Sequence, residues 1–465
     1  MREPRRLVAA AVALAISGCS FVPRYERPAP PVVAAYAGDS AGGDLAAADR
    51  GWRDVFADPR LQALIGLALA NNRDLRVATL NVELSRATHQ IQRSSLFPSV
   101  AGVAGVDVTG TRNDASARYT VGLSVTSYEI DLFGRVRSLE AAALEEYFAT
   151  EATRRAAHLS LVAEVVAQYL QERAFDEQRQ LAERTLATGT EFQTITTRLF
   201  EAGQRSELDV RTAEAQVEAA RAEIARLTRL RAQAENALVL LVGQPLPADL
   251  PPAPLLEAQV IVADIPAGLP SDLLQRRPDI IAAEHLLLAA NADIGAARAA
   301  FFPSISLTGF AGLVSTALSN LFTAGAFAWS VAPQLSVPLF NGDRNQANLD
   351  IAVVRKRIEV ARYERAIQAA FREVADALVA RQTYDAQLEA QMARAAAEQK
   401  RYEISEARYK NGIESYIAVL VAQQDLYASQ QQLIEVRLAR LVNLADLYRA
   451  LGGGWLESTQ TASAR

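Results

Sequence analysis

The chain has 465 residues, half of them hydrophobic and only 7% aromatic, a composition for close-packed helices more than for an all-β sandwich. One cysteine and three histidines (His89, His158 and His285) exclude a disulfide framework and any metal or haem site that needs several Cys and His ligands. A formal charge of −5 leaves no basic surface for nucleic acid, and no unbroken apolar run of 18 residues marks a helix that spans a bilayer.

Arg2, Arg5 and Arg6 precede a short apolar run, Leu7 to Ile16, which ends at Ile16-Ser17-Gly18-Cys19. A charged start, a short apolar run and a small-residue exit define a secretory signal over residues 1–18. The exit resembles the lipobox of bacterial lipoproteins. That resemblance implies cleavage before Cys19 and its diacylation, with palmitate or a similar chain on the new amine. Several acyl chains anchor firmly where one does not. Ser20 stands where an Asp would favour the inner membrane, so the outer membrane is expected. Residues 19–50, with Pro23, Pro28, Pro30 and Pro31, are expected to form an extended, lipidated tether.

From here the chain repeats itself. Asp74-Leu75 recurs as Asp279-Ile280, and Phe97-Pro98-Ser99 as Phe302-Pro303-Ser304, both 205 residues on. Leu132-Phe133 recurs as Leu339-Phe340. Gly203, Ser206 and Gly243 recur 209 residues on as Gly412, Ser415 and Gly452. The order is the same in both halves, so the chain is a tandem duplication, 51–243 and 278–455. A proline-rich linker, 244–277, joins the halves, and 456–465 is a tail. Each half is expected to hold a helix of about 24 residues (near 72–95 and 278–301), two strands, and a helical hairpin with arms of about 60 and about 38 residues.

Tyr119, Val121, Leu123 and Val125 alternate with small or polar residues, as do Phe327, Trp329, Val331, Leu335, Val337 and Leu339. An apolar face opposite a polar one suits a half-buried sheet or a barrel wall between lipid and water. Pro333 and Pro338 are awkward in a central strand. Coiled-coil spacing runs through Leu159, Val162, Val166 and Tyr169, through Ile351, Val354, Ile358 and Ala361, and through Ile367, Phe371, Val374 and Leu378. We read all three stripes as core packing. A 60-residue helix is about 90 Å long. The 24- and 38-residue helices stacked end to end match that length, which gives four columns per chain. Four strands cannot close a membrane barrel, and open edges are not tolerated in lipid. The barrel must be shared between chains, and three chains leave room for a conduit where two do not.

Together these features resemble the outer-membrane factors of bacterial efflux and secretion systems, the TolC/OprM type, and within it the NodT-like outer-membrane lipoproteins. The resemblance is carried by Gly268-Leu-Pro-Ser-Asp-Leu-Leu-Gln-Arg-Arg-Pro-Asp279, by Asn291-Ala-Asp-Ile-Gly-Ala-Ala-Arg-Ala-Ala-Phe-Phe-Pro-Ser304, by Glu129-Ile-Asp-Leu-Phe-Gly134 and by Leu451-Gly-Gly-Gly-Trp455. It implies a mostly α protein with a membrane β-barrel: a homotrimer whose twelve strands continue into a periplasmic tunnel of twelve helical columns. The tunnel would dock a periplasmic adaptor and an inner-membrane RND-type pump, and would conduct the pump's substrates passively to the exterior. The resemblance also places adaptor docking at the hairpin turns, around Gly203, Ser206, Gly412 and Ser415. It places the gate near Ile417. Val421 occupies the position where relatives often carry a gating aspartate, and Asp425, one turn on, is the nearest carboxylate. Asp209, with Glu207, is the alternative on the other hairpin.

No H-E-x-x-H, nucleophile elbow or phosphate-binding loop is present, so neither an enzyme nor a cofactor is expected. Two other readings are a periplasmic adaptor and a structural coiled-coil lipoprotein. The adaptor would carry one hairpin inserted in a β-domain, and the coiled coil would lack alternating strands.

Overall fold

A computed structural model describes residues 20–33, 47–112, 114–262 and 270–459. Cys19, the signal segment 1–18, part of the tether, part of the linker and the end of the tail lie outside the described residues.

The duplication is written into element lengths. Helix α1 (Pro59–Asn71) begins at the Asp58 cap and at Pro59 in the first helical position. Helix α2 (Arg73–Ser94), strands β1 (Val100–Thr111) and β2 (Asp114–Ile130), and helices α3 (Arg135–Glu201) and α4 (Glu207–Val242) complete the first repeat. Helix α5 (Pro278–Ala299), strands β3 (Ser304–Ser315) and β4 (Phe327–Ser336), and helices α6 (Arg344–Lys410) and α7 (Tyr416–Ala450) form the second. Both α2 and α5 have 22 residues, and both α3 and α6 have 67. The long arms are therefore longer than the expected 60 residues. Short turns of helix at Trp52–Val55 and Pro270–Arg276 flank the repeats. Helix α1 was not anticipated, although Asp58-Pro59 is a helix-start signal.

The chain divides into two compact units. The first holds residues 80–152 and 281–366 with the N-terminal segment up to Pro30. Its sheet is antiparallel throughout, in the order β1-β2-β3-β4, so β1 and β4 are open edges. Pro333 sits on the edge strand β4, opposite Leu307, which is where a strand tolerates proline. A bulge at Thr126 and Ser127, with Ser127 at φ +56°, breaks the register between β2 and β3.

The segment 20–30 is extended, as expected of a tether, but it is held along α5. Phe21 stacks on Phe302 at 4.5 Å, and Phe302 on Phe133 at 5.0 Å. Asn291 donates to the Pro23 carbonyl, and Arg27 makes a bidentate pair with Glu284. By length and composition α5 itself is apolar enough to cross a membrane, which corrects the expectation from unbroken apolar runs: its alanines and few charges escape that rule. More than half of its most apolar stretch is buried inside the protein, as in a core helix.

The second unit holds residues 31–79, 153–280 and 367–465. Its core includes Trp52, Phe56, Leu61, Ile65, Tyr169, Leu170 and Tyr448, all nearly inaccessible to solvent. Arg277 of the 268–279 motif is 5% exposed and pairs with Asp279 and Glu373 while donating to the Ala450 carbonyl. Buried Asp58 accepts from Tyr169, Gln259 and the Arg60 backbone. Two of the three apolar stripes are core: Leu159, Val162, Val166 and Tyr169, and Ile367, Val374 and Leu378. In the first unit Ile351, Val354 and Ile358 are about half exposed, contrary to the core reading, because no element among the described residues covers that face of α6.

Candidate functional site

Two features can act on other molecules: the turns joining the long helices, and the two faces of the sheet.

The turns are built alike. In the first, Gly203 at φ +73° ends α3, with Gln204 N–H bonded to Leu199 O and Gly203 N–H to Phe200 O. In the second, Gly412 at φ +70° ends α6, with Ile413 bonded to Arg408 and Gly412 to Tyr409. These are the same left-handed caps 209 residues apart, and glycine is the residue that enters that conformation without strain. The helices that follow start differently. Ser206 and Asp209 form a reciprocal capping box on α4. Asp209 corresponds to Ala418 in the second repeat, and Ser415 there makes no side-chain cap. The carboxylate of Asp209 thus has a local structural role, and Glu207 pairs with Arg211.

Ile417 and Val421 lie on an exposed face of α7 with Asp425 one turn further on. The Asp425 carboxylate does not stand alone: it accepts from Arg401 at 2.6 Å, and Arg401 also pairs with Glu398. The equivalent of Ile417 in the first repeat is Leu208, which is also exposed and which sequence reading missed. The offset of 209 that located the turns would have found it.

Behind the turns, Phe192 stacks face to face on Tyr416 at 3.8 Å, with Tyr409 beside both and Arg205 over the Tyr409 ring. Burial, with Tyr409 and Asp209 nearby, pushes the Tyr416 hydroxyl up to about 12. The cavity here, of about 470 Å³, is lined by these rings and by both acidic and basic side chains. No group of three or more His, Cys, Asp or Glu side chains suited to a metal occurs among the described residues.

The sheet is two-sided across all four strands. The pairing Val106↔Tyr119↔Ser315 and Val121↔Leu313↔Phe327 puts Val100, Val106, Val108, Tyr119, Val121, Leu123, Leu307, Leu313, Phe327, Trp329, Val331 and Leu335 on one face. The other carries Asp107, Thr109, Ser116, Arg118, Thr120, Ser124, Ser306, Thr308, Ser330 and Gln334. Phe327, Trp329, Val331 and Leu335 on the apolar face are 60–71% exposed. A soluble sheet would cover such a face; the alternation matches a wall with lipid on one side and water on the other.

A helical hairpin protein with this sheet belongs to the class of outer-membrane channels, and comparison with known proteins gives the family. Residues 64–244 and 269–453 match the family described as outer membrane efflux protein, and the chain belongs to it. It is 46% identical to the toluene efflux pump outer membrane protein TtgC of Pseudomonas putida over 98% of this chain and 96% of that one. It is 42% identical to the outer membrane protein OprJ of Pseudomonas aeruginosa, over 98% of each chain. Among solved structures, the open state of the Neisseria gonorrhoeae MtrE outer membrane channel superposes with a TM-score of 0.90 at 43% identity, covering 95% of this chain and all of that one. The chain is thus an outer-membrane efflux component, in a family of transport channels and not of enzymes. The adaptor and coiled-coil readings fall with that finding.

Proposed function

We propose that three copies of the chain form a passive exit duct. Their twelve strands close one barrel, with the apolar face toward lipid and the polar face toward a water-filled bore. Their hairpins build a twelve-column periplasmic tunnel, and the turns at Gly203, Ser206, Gly412 and Ser415 meet a periplasmic adaptor fed by an inner-membrane RND-type pump. Cys19 carries the lipid anchor. One observation carries this reading: a four-stranded sheet, apolar on one face and polar on the other, with both edges open. Unpaired strand edges in lipid are too costly to persist, so the edges must meet those of other copies.

The gate in this reading is an apolar constriction. Three copies of Ile417, joined by Leu208 from the other hairpin, would narrow the bore and disfavour water. Asp425 would contribute less negative charge than an unpaired carboxylate, because Arg401 is bound to it.

The test is single-channel recording in planar bilayers, with native mass measurement on the same preparation. The expected result is a trimer of low resting conductance that rises in Ile417→Gly. A monomer with an intact sheet, or a trimer in which neither form conducts, refutes the duct. High wild-type conductance unaltered by Ile417→Gly moves the closure away from this ring.

A further inference from the structure

The duplication is an internal control on the cavity behind the turns. A side chain that only builds a hairpin should be written into both repeats, as the caps at Gly203 and Gly412 are. The aromatic cluster is not. An offset of 209 sets Phe192 against Arg401, Tyr402 against Gln193 and Tyr416 against Glu207. It also sets Glu191, on the cavity wall, against Lys400. Of the four rings only Tyr409 keeps an aromatic counterpart, Phe200. The geometry common to both hairpins therefore does not account for these rings or for this carboxylate.

The volume of about 470 Å³ suits a small molecule, whose sites span about 300–1,000 Å³. A second cavity, of about 300 Å³, shares Thr188, Tyr402 and Gln423 with it and extends the space along the helices. Phe192, Ile195, Leu199 and Val419 supply an apolar wall. The charge is split between two ends. At one end, burial and the carboxylates of Glu406 and Glu191 raise the Tyr402 hydroxyl above its ordinary value, which sets both acids beside that ring. Lys410 neutralises Glu406 at 3.0 Å, whereas Glu191 makes no ion pair among the described residues. At the other end, Arg205 lies over the Tyr409 ring at 4.9 Å and makes no ion pair among the described residues either. Tyr402 and Tyr409 are seven residues apart on α6, about 10 Å. An uncompensated acid and an uncompensated base thus face one aromatic cavity from opposite ends.

We propose that this cavity binds an aromatic zwitterion of small-molecule size, with its cationic group at Glu191 and the Tyr402 ring and its anionic group at Arg205. The face of a tyrosine ring attracts a cation, and a guanidinium pairs with a carboxylate. Aromatic and aliphatic walls take the flat body of the ligand. Such a molecule touches α3, α6 and α7 at once, and so ties the first hairpin to the second behind their turns. Every group in the site belongs to one chain, so the site does not depend on the three-chain duct.

The test uses the purified full-length chain in a non-ionic detergent and two dyes that differ in one group: rhodamine B, a zwitterion at neutral pH, and its ethyl ester, a cation. Binding is read by fluorescence anisotropy. Each variant is compared with wild type for the same dye, so uptake of dye by micelles cancels. Rhodamine B is expected to bind saturably, one molecule per chain. Glu191→Gln, and independently Tyr402→Leu, should weaken both dyes by roughly two- to fivefold. Arg205→Gln should weaken rhodamine B by a similar factor and leave the ester unchanged. Glu389→Gln, thirteen residues from Tyr402 along α6 and about 20 Å away, should alter neither. Helical circular dichroism confirms that each variant is folded. The site is overturned if neither dye binds saturably, if Glu389→Gln loses as much as Glu191→Gln, or if Arg205→Gln weakens the ester as much as rhodamine B. The cluster would then be packing or a contact for a protein partner. Native mass on the same preparation reports on the duct separately.

Discussion

The substitution Glu284→Gln should release the N-terminal strap from α5 without unfolding the chain. Glu284 accepts from Arg27 Nε at 2.7 Å, from Arg27 Nη2 at 2.6 Å and from the Tyr25 hydroxyl at 3.1 Å. Charge-assisted hydrogen bonds contribute about 1.5–3 kcal/mol. The Arg27 side chain is 47% exposed, so solvent screening brings the expected loss down to about 1–2 kcal/mol. That is roughly a 5- to 30-fold larger population of lifted straps. Trypsin reads it directly: Arg24 is followed by Tyr25 and can be cut, whereas Arg27 is protected by Pro28. When opening and closing are fast, the rate of cutting follows the open population. Cleavage after Arg24 should therefore accelerate by that factor while the thermal transition followed by helical circular dichroism stays in place. Gly295→Ala provides a second arm, because its Cβ would sit 2.5 Å from Val22 Cγ2 and 2.8 Å from Ser138 Oγ, so the strap must move. A cutting rate unchanged in both variants would show that the strap is not held by these contacts.

Two further outcomes follow from buried charge in the second unit. Burial, reinforced by Arg154, pushes His158 down to about 4, and its ring lies 4.9 Å from Trp455; the unfolded chain protonates near 6.5. The unfolded state therefore binds the extra proton between about pH 6.5 and 4, and stability should fall by up to about 3 kcal/mol as pH drops through that window, a loss absent in His158→Gln in denaturant titrations at each pH. Arg277→Ala removes a buried guanidinium from Asp279, Glu373 and the Ala450 carbonyl, while Asp279 keeps the Ile280 N–H and Glu373 keeps Arg449, and should destabilise by about 1.5–3 kcal/mol, read as a lower denaturation midpoint; a loss under about 0.5 kcal/mol would mean that water replaces the guanidinium at little cost.

The legible parts of this molecule are those whose signals are local or repeated. Gly203 and Gly412 announce turns because few other residues enter a left-handed cap. The strands show because one face of the sheet is apolar and the other polar, which gives the sequence a period of two. What the sequence hides depends on distant partners. Nothing near Arg27 announces Glu284, 257 residues away, so the extended tether is legible in the sequence but the contact that holds its residues 20–30 against α5 is not. Ile351, Val354 and Ile358 carry a period that says a face is covered but not by what, and core packing was the wrong inference for a single chain. Ser206-Glu-Leu-Asp209 has the spacing of a capping box and forms one, so this role of Asp209 is legible from four consecutive residues.

The equal length of α3 and α6, 67 residues each, restricts how this protein can change over evolutionary time. Each residue in a helix advances the chain by about 1.5 Å and turns it through about 100°. Deleting one codon from either arm would rotate every side chain beyond the deletion away from its neighbours and shift one turn against the other. Insertions and deletions should therefore be purged from the long arms unless a matched change occurs in both, or a whole number of heptads is gained or lost. They should be more common in the connections from β1 to β2 and from β3 to β4, where an added residue does not rotate a long helix. Gene lineages of this family should diverge by substitution along the helices and by length at the strand loops.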